Sequence, residues 1–530
     1  MNSGSYHAVA GALFIFGQLI SAAFATEAPA PAPALPSFHA DPHIACFDGT
    51  YYIYPTTDGV EDWGSSSFRC WSSKDLVHWK NEGVILDFKR GLEWANSRAW
   101  APCIATKDGK YYFYYSAEQQ IGVAVADKPT GPFKDPLGKP LIARRQHACQ
   151  VIDPMVFIDD DGSAYLYFGQ GNCNVVKLND DMISFDPSQV KRITPKGYNE
   201  GAFMIKRQGV HYLMWSSHDT RDPRYCVNYA TGPSPMGPFT PAKNNPILKQ
   251  KGAIKAAGHH SVVQAPGKDQ WFVAFHRFRI PDGNGYNREV CISPLRFETD
   301  GSICAVDVFE PAYAYLMVYF GPQQKLFYAH SFDARNWRAL NGGKPVWSPP
   351  FVRDPFINRV NGKFHLVHTT GWTGTTIGHW QSDDLINWTG GPIQVVGQEK
   401  QKCWAPEFFY CGKEEVFYVF WASVHNHHHA LHYLKTKDWK DIKPSDSAVY
   451  YDIGIHDIDL TIVEHNGTYF GFHKPGDVGD KMGIRLSVST SLDPSKDTFA
   501  KDGHGRVVLS DEIKPTEGPE VIRLVNQRKW

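Results

Sequence analysis

The segment "IDPMVFIDDDGSAYLYFG", residues 152–169, contains an acidic residue before a proline, a short apolar run, a tight turn and a second, tyrosine-rich run. Asp161 and Gly162 form the turn. Asp-Gly between apolar runs is a strong β-hairpin signal, because a tight primed turn needs positive φ angles. Asp153 therefore lies at the head of the first strand of a predicted hairpin. One hairpin alone does not explain a carboxylate at that place, but related segments recur along the chain.

Eight segments combine a turn with an aromatic-rich strand, and no long amphipathic helix pattern separates them. The early copies lie roughly 45–60 residues apart, about the length of one propeller blade. Aromatic residues make up 14% of the chain, which also favours β-structure. The pattern predicts an all-β fold with five hairpins before residue 300 and three after it. The segments begin at Asp48, Asp108, Asp161, Gln208, Gly267, Asn361, Cys411 and Asn466.

A polar or aromatic residue lies eight or nine positions before each early turn glycine, at the head of the first strand. In a propeller the innermost strands of all blades surround one axis, so residues at matching positions converge on it. The sequence therefore predicts a five-bladed β-propeller over residues 37–310, with a central funnel lined by side chains that are far apart in sequence. These residues are Asp41, Trp100, Asp153, Glu200 and His259.

The second half of the chain repeats the first. The same counting rule places Asp354, Trp404 and Asp459 at strand heads, and "TEG" at Glu517 matches "NEG" at Glu200. These matches predict a second, incomplete propeller of the same type over residues 311–530. The sequence ends 13 residues after Glu517 and offers no segment equivalent to the one that carries His259, so we expect this copy to be truncated.

The N-terminus reads as an export signal followed by a linker. An apolar run ends in an A-x-A pattern at Ala25, which predicts a signal peptide over residues 1–25, an Ala/Pro linker over 26–36 and a secreted or periplasmic protein. The signal is atypical, because no Lys or Arg precedes Arg69. No later segment has the length and apolarity of a membrane span, so no membrane partner is expected after cleavage.

Overall charge and cysteine spacing exclude several classes of function. The formal net charge of −1 argues against a nucleic-acid-binding protein. The ten cysteines include no C-x-x-C motif, so neither a zinc site nor a redox motif is expected, and disulfide pairing stays open.

Three carboxylates in an aromatic-walled funnel suit glycoside hydrolysis. One carboxylic acid protonates the leaving oxygen, while a second carboxylate activates water or attacks the sugar directly. A third carboxylate nearby can keep the acid protonated and orient it. Asp41, Asp153 and Glu200 fall on different predicted blades, which leaves room for a water molecule between acid and base.

The words "HADP", "WAP", "VIDP", "NEG" and "GHHSV", in this order and spacing, resemble the motifs of glycoside hydrolase family 43. The resemblance covers residues 37–310 fully and 311–530 as a shorter second copy. It implies that Asp41 is the general base, Asp153 the carboxylate that tunes and orients, and Glu200 the general acid, with inversion at the anomeric carbon.

The resemblance also implies binding residues and a substrate class. His259 corresponds to a position that reaches an axial calcium ion through water, although no cofactor is required for the reaction. Arg288 matches a subsite arginine, and Phe38 and Trp100 are candidate walls of the sugar pocket. The second copy offers three candidates at the triad positions: Asp354, Asp459 and Glu517.

The first half most resembles α-L-arabinofuranosidases, so the expected partner is an arabinose- or xylose-containing oligosaccharide or polysaccharide. A β-xylosidase or an endo-arabinanase would use the same carboxylates and remains open. A non-catalytic, carbohydrate-binding double propeller is the alternative from a different class.

Overall fold

The computed structural model describes residues 30–522, apart from residues 322 and 348 and the ranges 398–401, 477–482, 497–505 and 510–517. The predicted signal peptide and Glu517 lie outside the described residues. The described chain divides into two compact units, with the change between Ala314 and Tyr315. The sequence pattern had placed this boundary at residue 310.

The first unit consists of five antiparallel sheets that follow one another along the chain. Each sheet begins with the strand nearest the centre, and each hairpin turn falls where the Asp-Gly and related signals predict it. The strands are β1 (His39–Phe47), β2 (Thr50–Thr57), β3 (Ser67–Ser73) and β4 (Lys80–Asp87); β5 (Trp100–Lys107), β6 (Lys110–Ala117) and β7 (Gln120–Ala126); β8 (Met155–Ile158), β9 (Ala164–Phe168), β10 (Asn174–Lys177) and β11 (Lys191–Arg192); β12 (Glu200–Arg207), β13 (Val210–Ser217), β14 (Cys226–Gly232) and β15 (Thr240–Pro241); and β16 (Gly258–Gln264), β17 (Trp271–Phe278) and β18 (Arg288–Leu295).

The first strands of the five sheets form a ring. β1 contacts β5, β5 contacts β8, β8 contacts β12, β12 contacts β16, and β16 contacts β1. Because each sheet extends outward from this ring, the unit has the five-bladed arrangement that the repeat predicts. Aromatic and branched side chains fill the spaces between neighbouring sheets, which explains the high aromatic content.

The innermost strands are bulged where they reach the axis. The residues with left-handed backbone at these points include Asp41 (φ 44°), Asp153 (φ 57°) and His259 (φ 39°). The pairing register shifts next to Asp41 in β1 and next to His259 in β16, and a bulge of this kind re-aims the side chain that it carries. The funnel residues therefore point towards the axis instead of continuing the strand's alternation.

The segment predicted as a linker is packed from residue 30 onward. The Ala34 N–H donates to the carbonyl of Val290 at 2.7 Å, Arg277 Nη2 donates to the carbonyl of Pro31 at 2.6 Å, and Leu35 is buried. This segment therefore covers the fifth sheet.

The second unit contains four antiparallel sheets among the described residues, one more than the three predicted hairpins. The additional sheet comes first, and its hairpin was missed because the turn near Gly321 and Gln324 has neither Asp-Gly nor Asn-Gly. The strands are β19 (Tyr315–Phe320), β20 (Leu326–Ser331) and β21 (Arg338–Ala339); β22 (Arg353–Val360), β23 (Lys363–Thr369), β24 (Thr376–Ser382) and β25 (Thr389–Gln394); β26 (Trp404–Cys411), β27 (Val416–His425), β28 (His428–Thr436) and β29 (Ala448–Tyr451); and β30 (Asp457–His465), β31 (Thr468–Pro475), β32 (Ile484–Ser489) and β33 (Arg506–Leu509).

β19 contacts β22 as β16 contacts β1. The first sheet of the second unit therefore lies beside β22 where the fifth sheet of the first unit lies beside β1, although the sequence offered no segment equivalent to the one that carries His259. The contacts continue from β22 to β26 and from β26 to β30. The second propeller predicted from the repeat is not confirmed.

Helices are short throughout the described chain. α1 (Phe88–Gly91) is a single turn, capped by the Asp87 side chain, and the other helical turns are 3₁₀. Within the described residues no helix has the length and apolarity needed to cross a membrane. The 3₁₀ turns are Glu61–Trp63, Pro187–Gln189, Asn341–Gly343 and Pro444–Asp446.

Ser261 joins the last sheet of the ring to the first, which yields a stability prediction. Its buried hydroxyl accepts from the Ile44 N–H at 2.8 Å and donates to the carbonyl of Pro42 at 2.7 Å. Ser261→Ala leaves both groups without this partner, and we expect a loss of about 1–3 kcal/mol in the free energy of unfolding. Urea denaturation followed by tryptophan fluorescence, with calorimetry, measures it.

Ser72→Ala is the matched control. It removes a hydrogen bond of 2.6 Å to the Glu82 carboxylate within a single sheet, and the partly exposed carboxylate can be hydrated instead. The control should cost about 0.5 kcal/mol or less. Equal losses in the two variants would contradict a special role for the junction between first and last sheets.

Candidate active site

One open cavity at the centre of the first unit holds the predicted carboxylates together. Asp41 comes from β1, Asp153 from the entry to β8, and Glu200 from the start of β12. The cavity has about 670 Å³ of empty space, its mouth included. Its lining consists of Asp41, Trp63, Trp100, Gln150, Ile152, Asp153, Gln170, Glu200, Asp219, Thr220, Arg221, His259 and Arg288.

Asp41 is held ionised by its surroundings. Its Oδ2 accepts from Thr56 Oγ1 at 2.8 Å, and its Oδ1 accepts from Arg288 Nη1 at 3.1 Å and lies 3.4 Å from His259 Nδ1. Burial alone would raise the pKa of Asp41, but the Arg288 guanidinium, with smaller contributions from His259 and His276, holds its pKa well below the usual range. The carboxylate is therefore available as a proton acceptor across the whole neutral range.

Arg288 is itself clamped by a residue that the sequence analysis did not identify. Asp58 accepts from Arg288 Nε at 2.9 Å, from Nη2 at 3.1 Å and from the Arg288 backbone N–H at 2.9 Å. The remaining nitrogen, Nη1, reaches Asp41 and also Thr220 Oγ1 at 3.1 Å. Because a two-pronged guanidinium–carboxylate pair fixes orientation as well as charge, Asp58 positions the group that ionises Asp41.

Glu200 has the opposite environment. Tyr225 OH donates to its Oε1 at 2.7 Å, and the amide of Gln170 donates to its Oε2. Burial raises the pKa of Glu200 to about 7, against these two hydrogen bonds, which favour the ionised form. Gly258 makes this contact possible, since a Cβ there would lie 2.4 Å from the Tyr225 ring.

Asp153 lies beside Glu200 and ties the two strands together. Its backbone N–H donates to Ser116 Oγ at 2.9 Å, and its Oδ2 accepts from the Gly201 N–H at 3.1 Å. Burial, and then the charges of Glu200 and Asp41, raise the pKa of Asp153 well above its ordinary value. The Asp153–Glu200 pair therefore retains a proton near neutral pH.

Aromatic rings form one wall of the cavity. Trp100 Nε1 donates to the Trp63 carbonyl at 2.7 Å, and the Trp63 ring stacks on Tyr286 with centroids 4.3 Å apart. Trp100 is thus found where the sequence predicts it. Phe38 is not among the lining residues: its ring lies against Gly59 and beneath the Arg279 guanidinium, whose Cζ is 5.2 Å from the ring centroid.

The residues around His259 bear on the axial calcium ion that the family resemblance implies. His259 Nδ1 faces Asp41 and, at 4.0 Å, Asp153, and the axial space is lined by these residues, two further histidines and apolar groups such as Pro42 and Phe203. Among the described residues no group of three or more His, Cys, Asp or Glu side chains is arranged to hold a metal. These residues do not fit a calcium ion bound directly by side chains, and the ion stays a prediction.

His260, the neighbour of His259, points to the other side of its strand. It is buried against Phe203, with ring centroids 5.7 Å apart, and burial lowers its pKa to about 3. His260 is therefore a neutral packing residue next to the site.

The second-copy candidates are partly described. Asp354 and Asp459 line one cavity of the second unit, whose lining also includes Arg353 and Glu407, while Glu517 lies outside the described residues. This cavity has about 650 Å³ of empty space, its mouth included.

Several site residues were missed, and one sequence signal would have found part of them. The second strand of each hairpin returns to the same rim, so counting seven positions forward from Gly49, Gly109 and Gly209 reaches Thr56, Ser116 and Ser216. All three hydroxyls accept backbone N–H groups of the neighbouring sheet. The signal does not reach the residues of the longer connections, which are Asp58, Trp63, Asp219, Thr220, Arg221 and Tyr225.

Two family models match the chain. The model of glycosyl hydrolases family 43 matches residues 30–303, and a related model described as a probable glycosyl hydrolase domain matches residues 310–530. Together they agree with the full copy and second copy that the repeat predicts.

Characterised relatives match the first half. A β-D-galactofuranosidase of Aspergillus niger is 36% identical over 295 residues, covering 52% of this chain and 84% of that protein. A xylosidase/arabinosidase of Humicola insolens is 31% identical over 330 residues (50% and 96%), and one of Bacteroides ovatus is 29% identical over 327 residues (51% and 95%). A crystal structure of a thermostable family-43 glycoside hydrolase is 29% identical, with a TM-score of 0.46, over 51% of this chain and 93% of that one.

The family-43 model spans more than half of the sequence, including every residue of the cavity described above. This chain belongs to glycosyl hydrolases family 43.

Proposed function

We propose that the first unit is an inverting, secreted exo-glycosidase that removes α-L-arabinofuranosyl residues from arabinose-containing plant polysaccharides or oligosaccharides. The observation that carries this proposal is the opposite tuning of two carboxyl groups in one cavity. Arg288 keeps Asp41 ionised, whereas burial keeps a proton on the Asp153–Glu200 pair. Pairs of carboxyl groups whose environments separate their pKa values in this way act as base and acid.

The proton transfers follow from these two states. Asp41 accepts a proton from water as the water oxygen attacks the anomeric carbon, and Glu200 gives its proton to the departing glycosidic oxygen. Asp153 lies beside Glu200, whose charge raises the pKa of Asp153, and the Asp153 carboxylate accepts the Gly201 N–H, which fixes the backbone next to Glu200. Tyr225 and Gln170 stabilise the Glu200 carboxylate that remains after transfer.

The charges of the cavity favour an uncharged sugar. Its two guanidinium groups are both paired: Arg288 with Asp41 and Asp58, and Arg221 with Asp219 at 2.7 Å. With these pairs formed, the Asp153–Glu200 pair leaves the wall acidic on balance. A substrate carboxylate would meet repulsion, so a neutral glycoside is the better ligand.

A furanosyl ring is favoured by the names that the relatives carry. Two relatives are described as xylosidase/arabinosidases, and an arabinoxylan arabinofuranohydrolase of Bacillus subtilis is 31% identical over 50% of this chain and 61% of that protein. The 36% identical relative is described as a β-D-galactofuranosidase, which makes that activity the second candidate. The β-D-galactofuranosyl and α-L-arabinofuranosyl rings share their configuration and differ by one exocyclic CH₂OH group.

Substrate preference can be measured on 4-nitrophenyl glycosides. We expect the highest kcat/KM on the α-L-arabinofuranoside, a value roughly 10- to 200-fold lower on the β-D-galactofuranoside, because one extra exocyclic group is worth that much discrimination, and little turnover of the β-D-xyloside. The first product anomer, followed by ¹H NMR, should be the inverted one. Preference for the galactofuranoside would assign the second candidate, and preference for the xyloside, or cleavage only within arabinan chains, would refute the proposal.

The roles of the carboxyl groups are tested by isosteric amides. Asp41→Asn and Glu200→Gln should each lower kcat/KM by roughly 10²–10⁴-fold, since each removes one proton transfer. Asp161→Asn, an exposed carboxylate at the hairpin turn of the sheet that carries Asp153, should leave kcat/KM unchanged. An Asp41→Asn enzyme with full activity would show that another group is the base.

Glu200 also predicts the pH profile. The acid must be protonated, so kcat/KM should be full at mildly acidic pH and fall as pH rises through about 7. Tyr225 OH stabilises the ionised form, so Tyr225→Phe should raise the pKa of Glu200 and move the alkaline limb upward by roughly 0.5–1 unit. A downward shift, or no shift, would contradict the assignment of Glu200 as the acid.

Tyr229→Phe is the matched control for the pH profile. Tyr229 is equally buried, lies four residues further on and donates to Asn244 Oδ1 at 3.1 Å, away from the cavity. Its loss should leave the alkaline limb in place.

A further inference from the structure

The second unit repeats the hydrogen bonds that hold Asp41 in the first. Thr369 Oγ1 donates to Asp354 Oδ2 at 2.9 Å and accepts from the Ala405 N–H at 2.8 Å. In the first unit Thr56 makes the same two bonds, both 2.8 Å, to Asp41 and Ala101. Asp354 also has the left-handed backbone of Asp41, with φ 45° against 44°.

The contact between Asp153 and Gly201 is repeated as well. The Gly518 N–H donates to Asp459 Oδ2 at 2.9 Å, and φ is 58° at Asp459 and 67° at Gly518, against 57° and 62° in the first unit. Asp354 and Asp459 therefore face one cavity in the geometry of Asp41 and Asp153.

A pair of indoles is preserved next to Arg353, although neither indole lines the second cavity itself. Trp404 Nε1 donates to the Trp372 carbonyl at 3.0 Å, and the two rings are nearly perpendicular with centroids 6.0 Å apart. Trp100 and Trp63 have the same bond and a ring separation of 6.3 Å. Trp372 is 51% exposed and contacts Arg353, which lines the cavity, and an indole kept in water is a surface on which a sugar ring can stack.

The charge clamp of the first unit has no counterpart at the matching position. Thr56-Thr57-Asp58 corresponds to Thr369-Thr370-Gly371, so a glycine replaces the carboxylate that orients Arg288. The nearest guanidinium is that of Arg353, whose Nε is 3.6 Å from Asp354 Oδ1.

The Arg353 guanidinium packs against two aromatic rings, and its contact with the Asp354 carboxylate is long. Its Cζ lies 4.1 Å from the Trp372 ring centroid and 5.0 Å from that of Phe320. Burial raises the pKa of Asp354, where the equivalent Asp41 has its pKa lowered. The second cavity thus keeps the two aspartates in their geometry and lacks the arrangement that ionises the base, while Glu407 and Glu520, whose pKa values are raised by burial, add further carboxyl groups to its lining.

We propose that the cavity of the second unit binds an uncharged sugar residue of a plant polysaccharide and does not hydrolyse its glycosidic bond. Asp354 and Arg353 take the hydroxyl groups of the sugar in the cavity, and the exposed part of Trp372, whose ring supports Arg353, extends the contact surface outside it. This function goes beyond the hydrolysis proposed for the first unit, because binding here would hold the full chain on a polymer that it trims.

The test uses the full chain carrying Asp41→Asn, so that the polymer is degraded only slowly. Affinity electrophoresis in gels containing soluble arabinan or arabinoxylan, with hydroxyethyl cellulose as the reference polymer, gives an apparent Kd. Adding Trp372→Ala should raise the apparent Kd roughly 5- to 10-fold, as expected when an aromatic anchor is truncated. Ile386→Ala, which removes a 71% exposed apolar side chain of the same unit, is the control and should leave it unchanged.

Further variants locate the binding site. Trp63→Ala in the same Asp41→Asn chain removes the wall of the first cavity, and retardation that depends only on Trp63 would overturn the proposal. If neither arabinan nor arabinoxylan retards the chain, the proposal is overturned as well. Calorimetric melting of each variant identifies any loss of folding, and Trp372→Phe, which keeps a ring, should restore part of the affinity.

Hydrolysis is examined separately. The Asp41→Asn chain should release sugar from arabinan or arabinoxylan only at the roughly 10²–10⁴-fold lower rate expected without the base, and release that disappears on adding Asp354→Asn would show that the second cavity is catalytic. A failure of the arabinofuranosidase proposal would be seen instead with the aryl glycosides, on the chain that retains Asp41.

Discussion

The site depends on one repeated interaction: at each junction of the ring, a left-handed residue of an innermost strand donates its backbone N–H to the neighbouring sheet. The N–H groups of Ala101, Asp153 and His259 go to the hydroxyls of Thr56, Ser116 and Ser216, and that of Asp41 goes to His276 Nδ1 at 3.2 Å. Because the donor is the funnel residue itself or its neighbour, the bond that joins two sheets also sets the direction of a functional side chain. Stability and active-site geometry are therefore set by the same atoms.

The junction between the third and fourth sheets departs from this rule, and the departure explains Asp153. Seven residues after the turn glycine Gly162 the chain has Gly169, which offers no hydroxyl. The N–H of Gly201 is accepted there by the Asp153 carboxylate. One side chain thus joins the third and fourth sheets and lies next to Glu200, whose charge raises the pKa of Asp153. Gly201 itself has φ 62°, and a Cβ there would lie 3.3 Å from the His259 ring, so glycine suits this position.

The features of the fold that recur at a regular spacing could be predicted from the sequence. Asp-Gly turns fix the hairpins, the hairpins fix which residues head the inner strands, and Asp41, Asp153, Glu200, Trp100 and His259 do line one cavity. Arg288 was reached through the family resemblance. Asp58 and Tyr225 were missed because they lie in connections of irregular length, where no period applies, and the first sheet of the second unit was missed because its turn lacks a standard signal. Phe38 was predicted as a wall of the sugar pocket, but its ring packs against Gly59, where the missing side chain leaves room.

The two units share the hydrogen bonds that join neighbouring sheets but differ in the groups that set the charge of the first carboxylate. Both keep the threonine that links the first carboxylate to the next strand, since its loss would leave a backbone N–H without a partner. Only the first has a carboxylate two residues after that threonine, and it accepts both the guanidinium and the backbone N–H of Arg288, which begins the last strand of the fifth sheet. In the second unit Gly371 is at that position, while the two bonds of the threonine are kept. The threonine bonds that hold the first carboxylate are therefore independent of the pair that ionises it, which is why Asp354 can keep the backbone geometry of Asp41 without its charge environment.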